Sequence, residues 1–128
     1  MTDPVLLVED ELFIALDVQA TIEAAGFAVE GPCMTLVEAQ EAVERHNAAF
    51  AAAVLDVRLA DGTVFPAADR LPAAGVPLIF HSGHADDADL RQRYPRAMVC
   101  PKPSAPEALS EAIRRCASLN GDRQQATG

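Results

Sequence analysis

Five side chains in this 128-residue sequence have types that suit phosphoryl chemistry, and each stands just past a short apolar run. Glu9 and Asp10 follow Val5-Leu6-Leu7-Val8, and Asp56 follows Ala51-Ala52-Ala53-Val54-Leu55. Ser82 comes after the run Val76–Phe80, and Lys102 after Met98-Val99-Cys100. Continuous apolar runs of this length are expected as strands buried on both faces. In an open parallel sheet, ligands bind beyond the carboxyl ends of the strands, so the five side chains should meet at one edge. Three carboxylates there would repel one another, and a hard divalent cation resolves this. Mg²⁺ takes one or two carboxylates, waters and a phosphate oxygen. A lysine point charge and a hydroxyl suit the equatorial oxygens of a phosphoryl group. A carboxylate can itself accept that group as an aspartyl phosphate. The pattern points to metal-assisted phosphoryl transfer to Asp56.

The elements that must position these residues alternate along the chain. A helical pattern from about Leu12 to Ala25 carries Leu12, Ala15, Leu16 and Ile22 at helical spacing, and Gly26 stops it. Phe27–Gly31 reads as a second strand. Thr35, with Glu38 three residues on, has the form of a capping box opening a helix to about His46. Asp61-Gly62 signals a turn, and a short helix should follow and end at Gly75. Pro66 is tolerable there only near the first turn. Ser104, with Glu107 three residues later, should cap a last helix whose inner stripe holds Ile113 and Cys116. From Leu119 the chain is polar and reads as a frayed tail. Five strands alternating with five helices imply one domain, with a parallel sheet covered on both faces and right-handed crossovers.

Composition narrows the partners. Asp plus Glu number 19 against 10 Lys plus Arg, a formal charge of −9. That balance disfavours nucleic acid and anionic membrane, both of which demand a basic face. The three cysteines, Cys33, Cys100 and Cys116, lack metal-type spacing and read as reduced, packed thiols of a cytoplasmic protein. The N-terminus has no signal-type apolar stretch, and no run is long enough to span a membrane.

Four motifs in order, Val8-Glu9-Asp10-Glu11, Leu55-Asp56-Val57-Arg58-Leu59 with Asp61-Gly62, Phe80-His81-Ser82-Gly83 and Pro101-Lys102-Pro103, resemble the signature of response-regulator receiver domains (CheY-like). The resemblance covers about Pro4 to Ala117. It implies a flavodoxin-like (βα)5 three-layer sandwich with parallel strand order 2-1-3-4-5, a receiver over 1–119 and a flexible tail over 120–128. It implies a stand-alone receiver that signals through protein contacts or phosphoryl relay and catalyses only its own phosphorylation and dephosphorylation. Asp56 would be the phosphoacceptor. Asp10 would bind Mg²⁺ directly, Glu9 through a water, and the Arg58 backbone carbonyl would be a further ligand beside Asp56. Ser82 and Lys102 would each meet a phosphoryl oxygen, and the Lys102-Pro103 bond would be cis. The donor would be a sensor histidine kinase or a histidine phosphotransfer protein.

The sequence also departs from that pattern. Val99 stands where most receivers have an aromatic residue three before the lysine. The segment His84–Arg96, acidic at its start and closed by Tyr94-Pro95, predicts a reduced fourth helix, similar to an alphaproteobacterial-type subgroup of stand-alone receivers. Pro101 is consistent with an edge strand. His81 and His84 read as surface or supporting residues, with His84 and Arg58 placed to tune phosphoryl lifetime. Three other readings compete. An Asp-nucleophile phosphatase is disfavoured because Arg58 stands where its general acid belongs. A flavin-binding module is disfavoured because Glu9-Asp10-Glu11 would repel the phosphate. A phosphorylation-independent pseudo-receiver is disfavoured because every expected position is filled.

Overall fold

A computed structural model describes the backbone of residues 3–83, 87–103 and 105–127, with the side chains of these except 87 and 119–127. In chain order the elements are β1 (Val5–Val8), α1 (Leu12–Ala24), β2 (Val29–Cys33), α2 (Leu36–Arg45) and β3 (Ala52–Leu55). A small hairpin follows, β4 (Arg58–Leu59) and β5 (Gly62–Thr63), then α3 (Phe65–Ala68) and a 3₁₀ turn at Pro72–Ala74. The chain continues as β6 (Leu78–Ser82), α4 (Asp87–Arg93), β7 (Met98–Pro101) and α5 (Pro106–Thr127). Five strands form one parallel sheet in the order β2-β1-β3-β6-β7, with β4 and β5 paired separately. Setting the hairpin aside, this is the expected order 2-1-3-4-5.

Alternation along the strands divides the core between the two faces. Leu6, Val8, Ala53, Leu55, Leu78 and Phe80 pack with Ala39, Val43, Ala67 and Leu71 on the α2–α3 side. Val5, Leu7, Ala52, Val54 and Ile79 pack with Val18, Ile22, Leu109, Ile113 and Cys116 on the α1–α5 side. All three cysteines are buried and free, as expected. Burial pushes the Cys33 and Cys116 thiols up to about 11.

Two strands lie two residues further along than the sequence suggests. β2 passes Gly31 and resumes pairing at Cys33, opposite Val8, across an irregularity after Leu6. Gly31 has φ +114°, and a Cβ there would come within 2.5 Å of the Leu7 carbonyl oxygen. Only glycine allows this close approach. β6 runs to Ser82 because the edge strand β7 pairs with it as far as Ser82 opposite Pro101.

The inner stripe of α1 also differs. Ala15, Val18 and Ile22 are buried, whereas Leu12 and Leu16 are about half exposed. Apolar residues run almost round the first turns of this helix, and both stripes satisfy helical spacing. The sheet and α5 take the stripe containing the smaller Ala15 and Val18. Over the expected tail, the backbone of α5 is helical as far as Thr127. Apart from Gly121, residues 120–126 contain no strong helix breaker. Ser104 and His84 lie outside the described residues.

The capping box at Thr35 is present, with the Glu38 N–H donating to Thr35 Oγ1 at 3.1 Å. The Glu38 carboxylate reaches back to the Met34 N–H at 2.9 Å. Asp61 adds a cap from outside the helix, accepting from the N–H groups of Leu36 at 2.7 Å and Val37 at 3.2 Å. The Asp61-Gly62 turn therefore does more than reverse the chain. It ties the loop after β3 to the N-terminus of α2, satisfying donors the helix cannot.

Candidate functional site

The strand ends deliver the site residues to one edge, and backbone bonds continue the strand pairing one residue past each end. The Glu9 N–H donates to the Cys33 carbonyl at 2.9 Å, Asp56 N–H to the Val8 carbonyl at 2.8 Å, and Lys102 N–H to the Ser82 carbonyl at 2.7 Å. The bulge at Gly31 is what brings the Cys33 carbonyl opposite Glu9.

Lys102 lies between two carboxylates. Its Nζ is 2.8 Å from Glu9 Oε1 and 3.2 Å from Asp56 Oδ1. Glu9 is almost wholly buried at 1% exposure, an expensive place for a charge without a partner. The other Glu9 oxygen accepts from the Glu11 N–H at 3.2 Å, at the start of α1. The Lys102-Pro103 bond is cis, as expected. Ser82 is buried at the end of β6, and Arg58 lies exposed on the hairpin two residues past Asp56.

The charges remain unbalanced. Burial, then the neighbouring Glu9, holds the Asp56 carboxyl above its ordinary value, and Lys102 offsets only part of this. Burial and then Asp56 raise Asp10 as well. Burial works against a charged Lys102, but Glu9 and Asp56 outweigh it and raise its pKa. Glu9, Asp10 and Glu11 offer carboxylate oxygens within 4.8 Å of one another. This hard, oxygen-only donor set carries more negative charge than Lys102 neutralises, which suits a small divalent cation.

Three features add to the sequence reading. His81 is buried, at 5% exposure, which favours the supporting reading over the surface one. Its position in β6 puts it on the same side of the sheet as Ile79, under α1 and α5. Burial, then the charge of Lys102, pushes its pKa below the ordinary value. The second is the direct pairing of Glu9 with Lys102. The third is an aromatic group near Val99. Val99 pairs in register with Phe80, and the Tyr94 ring from the end of α4 lies 5.0 Å from that of Phe80. The Tyr94 hydroxyl donates to Asp69, which also holds Arg93 at 2.9 Å. Arg93 in turn stacks over Phe65, 4.4 Å from the ring centre. Phe65 and Asp69 at α3, Phe80 in β6 and Tyr94 after α4 come from three separate segments, and only the placement of α4 across α3 and β6 joins them.

No family model matches the chain. The phyllosphere-induced regulator PhyR of Methylorubrum extorquens is 30% identical over 115 residues, covering 88% of this chain and 43% of that protein. The chain thus spans less than half the length of this curated relative. Among solved structures, the non-phosphorylated HemR receiver domain from Leptospira biflexa superposes with a TM-score of 0.75 at 28% identity, covering 91% of this chain and 95% of that one. A response regulator receiver protein from Sinorhizobium medicae gives 0.81 at 24% identity, covering 93% and 97%. With this fold and these strand ends, the chain has the fold of response-regulator receiver domains and is similar to them in sequence. Within that class it is similar to PhyR. The receiver domain of Erythrobacter litoralis PhyR gives a TM-score of 0.77 at 24% identity, covering 90% of this chain and 89% of that one.

Proposed function

We propose that this receiver accepts a phosphoryl group on Asp56 from a phosphohistidine donor in a Mg²⁺-dependent reaction, and signals through protein contacts or onward relay. The observation that carries this reading is Lys102 held between Glu9 and Asp56 at a carboxylate-rich strand edge. The carboxylate-rich strand edge suits Mg²⁺, which Asp10 and Asp56 would bind, with Glu9 acting through a water and the Arg58 carbonyl completing the protein ligands. When bound, the ion supplies positive charge to the phosphoryl oxygens.

The chain's own residues account for the rest. An Asp56 carboxylate oxygen forms the new O–P bond while the donor's N–P bond breaks. The donor imidazole keeps the electron pair and takes a proton from solvent. Lys102 transfers its interaction from the Asp56 carboxylate to a phosphoryl oxygen, and remains anchored by Glu9. Ser82 offers its hydroxyl to another oxygen. The donor protein must cover the opening at Asp56. Leu12, Phe13 and Leu16, on the first turns after Asp10, are 51%, 82% and 48% exposed and give it an apolar lip. The test is acetyl phosphate with Mg²⁺, read by intact mass on wild type and Asp56→Asn. The reading expects one phosphoryl adduct on wild type and none on the variant; no adduct on wild type under any donor would sink it.

A further inference from the structure

His81 has no role in the chemistry above, yet it is the most anomalous polar group near it. Both ring nitrogens are buried and neither has a hydrogen-bond partner among the described residues. Buried polar atoms in native proteins are nearly always paired with protein or ordered water, so this ring is satisfied by water from the adjoining cavity or by a change of charge state. A cavity of about 1210 Å³ between α1 and α5 reaches the ring, so a proton can enter from solvent.

The charges facing the ring come from every element around it. Lys102 approaches from the turn after β7, and Asp56 from the end of β3. Glu11 and Asp17 line the same cavity from α1, and Glu107, Glu111 and Arg114 line it from α5. Cys100, its register partner on β7, is a neutral thiol whose pKa burial raises. In the unmodified protein, burial and Lys102 both oppose a charged ring.

Phosphorylation reverses that balance. A carboxylate monoanion at Asp56 becomes an acyl phosphate that carries close to two negative charges. Lys102 is at the same time drawn to the new oxygens, so its repulsion of the ring is more fully neutralised. We propose that His81 takes up a proton when Asp56 is phosphorylated, so that falling pH favours the phosphorylated state and rising pH releases it. The proposal rests on the reading that Asp56 is the phosphoacceptor.

The coupling is reciprocal, because a change in proton affinity on phosphorylation equals the change in phosphoryl affinity on protonation. The linked window opens at the depressed pKa of the unmodified ring and closes at the higher pKa of the phosphorylated one. Within it, the affinity for the phosphoryl group or its mimic changes by up to about tenfold per pH unit.

The experiment follows the histidine ring resonances by NMR from about pH 5 to about pH 8, with Mg²⁺ in both arms and beryllofluoride, a phosphoryl mimic, in one. The metal charge then cancels in the comparison, and His81→Asn assigns the signal among three histidines. The expected result is a higher His81 titration midpoint with beryllofluoride. Beryllofluoride affinity should also fall several-fold as pH rises through the window, and this fall should be absent from His81→Asn. An unmoved midpoint, or an equal pH dependence in the variant, overturns the linkage. If His81→Asn does not fold, the midpoint shift in wild type still decides. If acetyl phosphate leaves no adduct on Asp56, the underlying reading fails and takes this proposal with it. An adduct together with an unmoved His81 refutes the linkage alone.

Discussion

Asp56→Asn should make the metal-free protein more stable at neutral pH, although it removes the residue assigned the central role. The Asp56 side chain is 12% exposed, and Asn keeps its size while removing the charge. Burial and Glu9 disfavour that charge, whereas Lys102 at 3.2 Å favours it, and the unfavourable effects win. Lys102 is not orphaned in the variant, because Glu9 still holds it at 2.8 Å. Relief of a charged functional site typically raises stability by about 0.5–2 kcal/mol. For a domain of this size that corresponds to roughly 3–6 °C in Tm per kcal/mol. The pH dependence has a definite sign. Asp56 holds its proton more tightly in the folded chain than in the unfolded one. Its ionisation therefore removes stability as pH rises from the ordinary value of 3.8 through the raised folded value, and the penalty is complete above that. The advantage of Asn should be full at neutral pH and fade as pH falls toward 3.8. Added Mg²⁺ should stabilise wild type more than the variant and narrow the gap. Urea unfolding with and without Mg²⁺ measures all of this. A variant no more stable than wild type at neutral pH without divalent cation would refute the reasoning.

Tyr94 is the one tyrosine and there is no tryptophan, so its ultraviolet absorbance titrates as a single phenol. The midpoint should lie at about 12, pushed up by burial and by Asp69, and a midpoint near 10.0 would contradict the part-buried Asp69 contact. Tyr94→Phe keeps the ring against Phe80 but loses that hydrogen bond, at an expected cost of about 1.5–3 kcal/mol in urea unfolding; an unchanged midpoint would count against the contact. Replacing Leu12, Phe13 and Leu16 together with Ser should leave stability nearly unchanged, since all three are substantially exposed. The same variant should slow phosphorylation by a histidine donor protein but not by acetyl phosphate; equal slowing with both donors would place the effect at the chemistry rather than at the protein contact.

Much of the fold was legible because its strands are buried on both faces. Val5–Val8 and Ala52–Leu55 are unbroken apolar runs, and period-2 and period-3.6 signals do not compete there. The ends of β1 and β3, and with them Glu9, Asp10 and Asp56, followed directly, whereas β6 runs two residues further than expected and takes in Ser82. What could not be read depends on residues distant in sequence. β2 continues past Gly31 because of the Leu7 carbonyl opposite it, and nothing within the segment encodes that. The α1 stripe was ambiguous because two apolar stripes fit one period, and only α5 selects between them. The burial of His81 depends on α1 and α5 closing over β6. The Asp69–Tyr94 contact depends on how α4 crosses α3. The placement of residues at strand ends was therefore readable, and long-range pairing was not.

The most direct test of the central claim is the mass of the intact protein after acetyl phosphate and Mg²⁺, with the modified residue located by borohydride trapping. The account predicts one phosphoryl group on wild type, placed on Asp56, lost on chelation of Mg²⁺ before the reaction and absent from Asp56→Asn. An adduct on another residue, one that persists in Asp56→Asn, or none with any donor would contradict it.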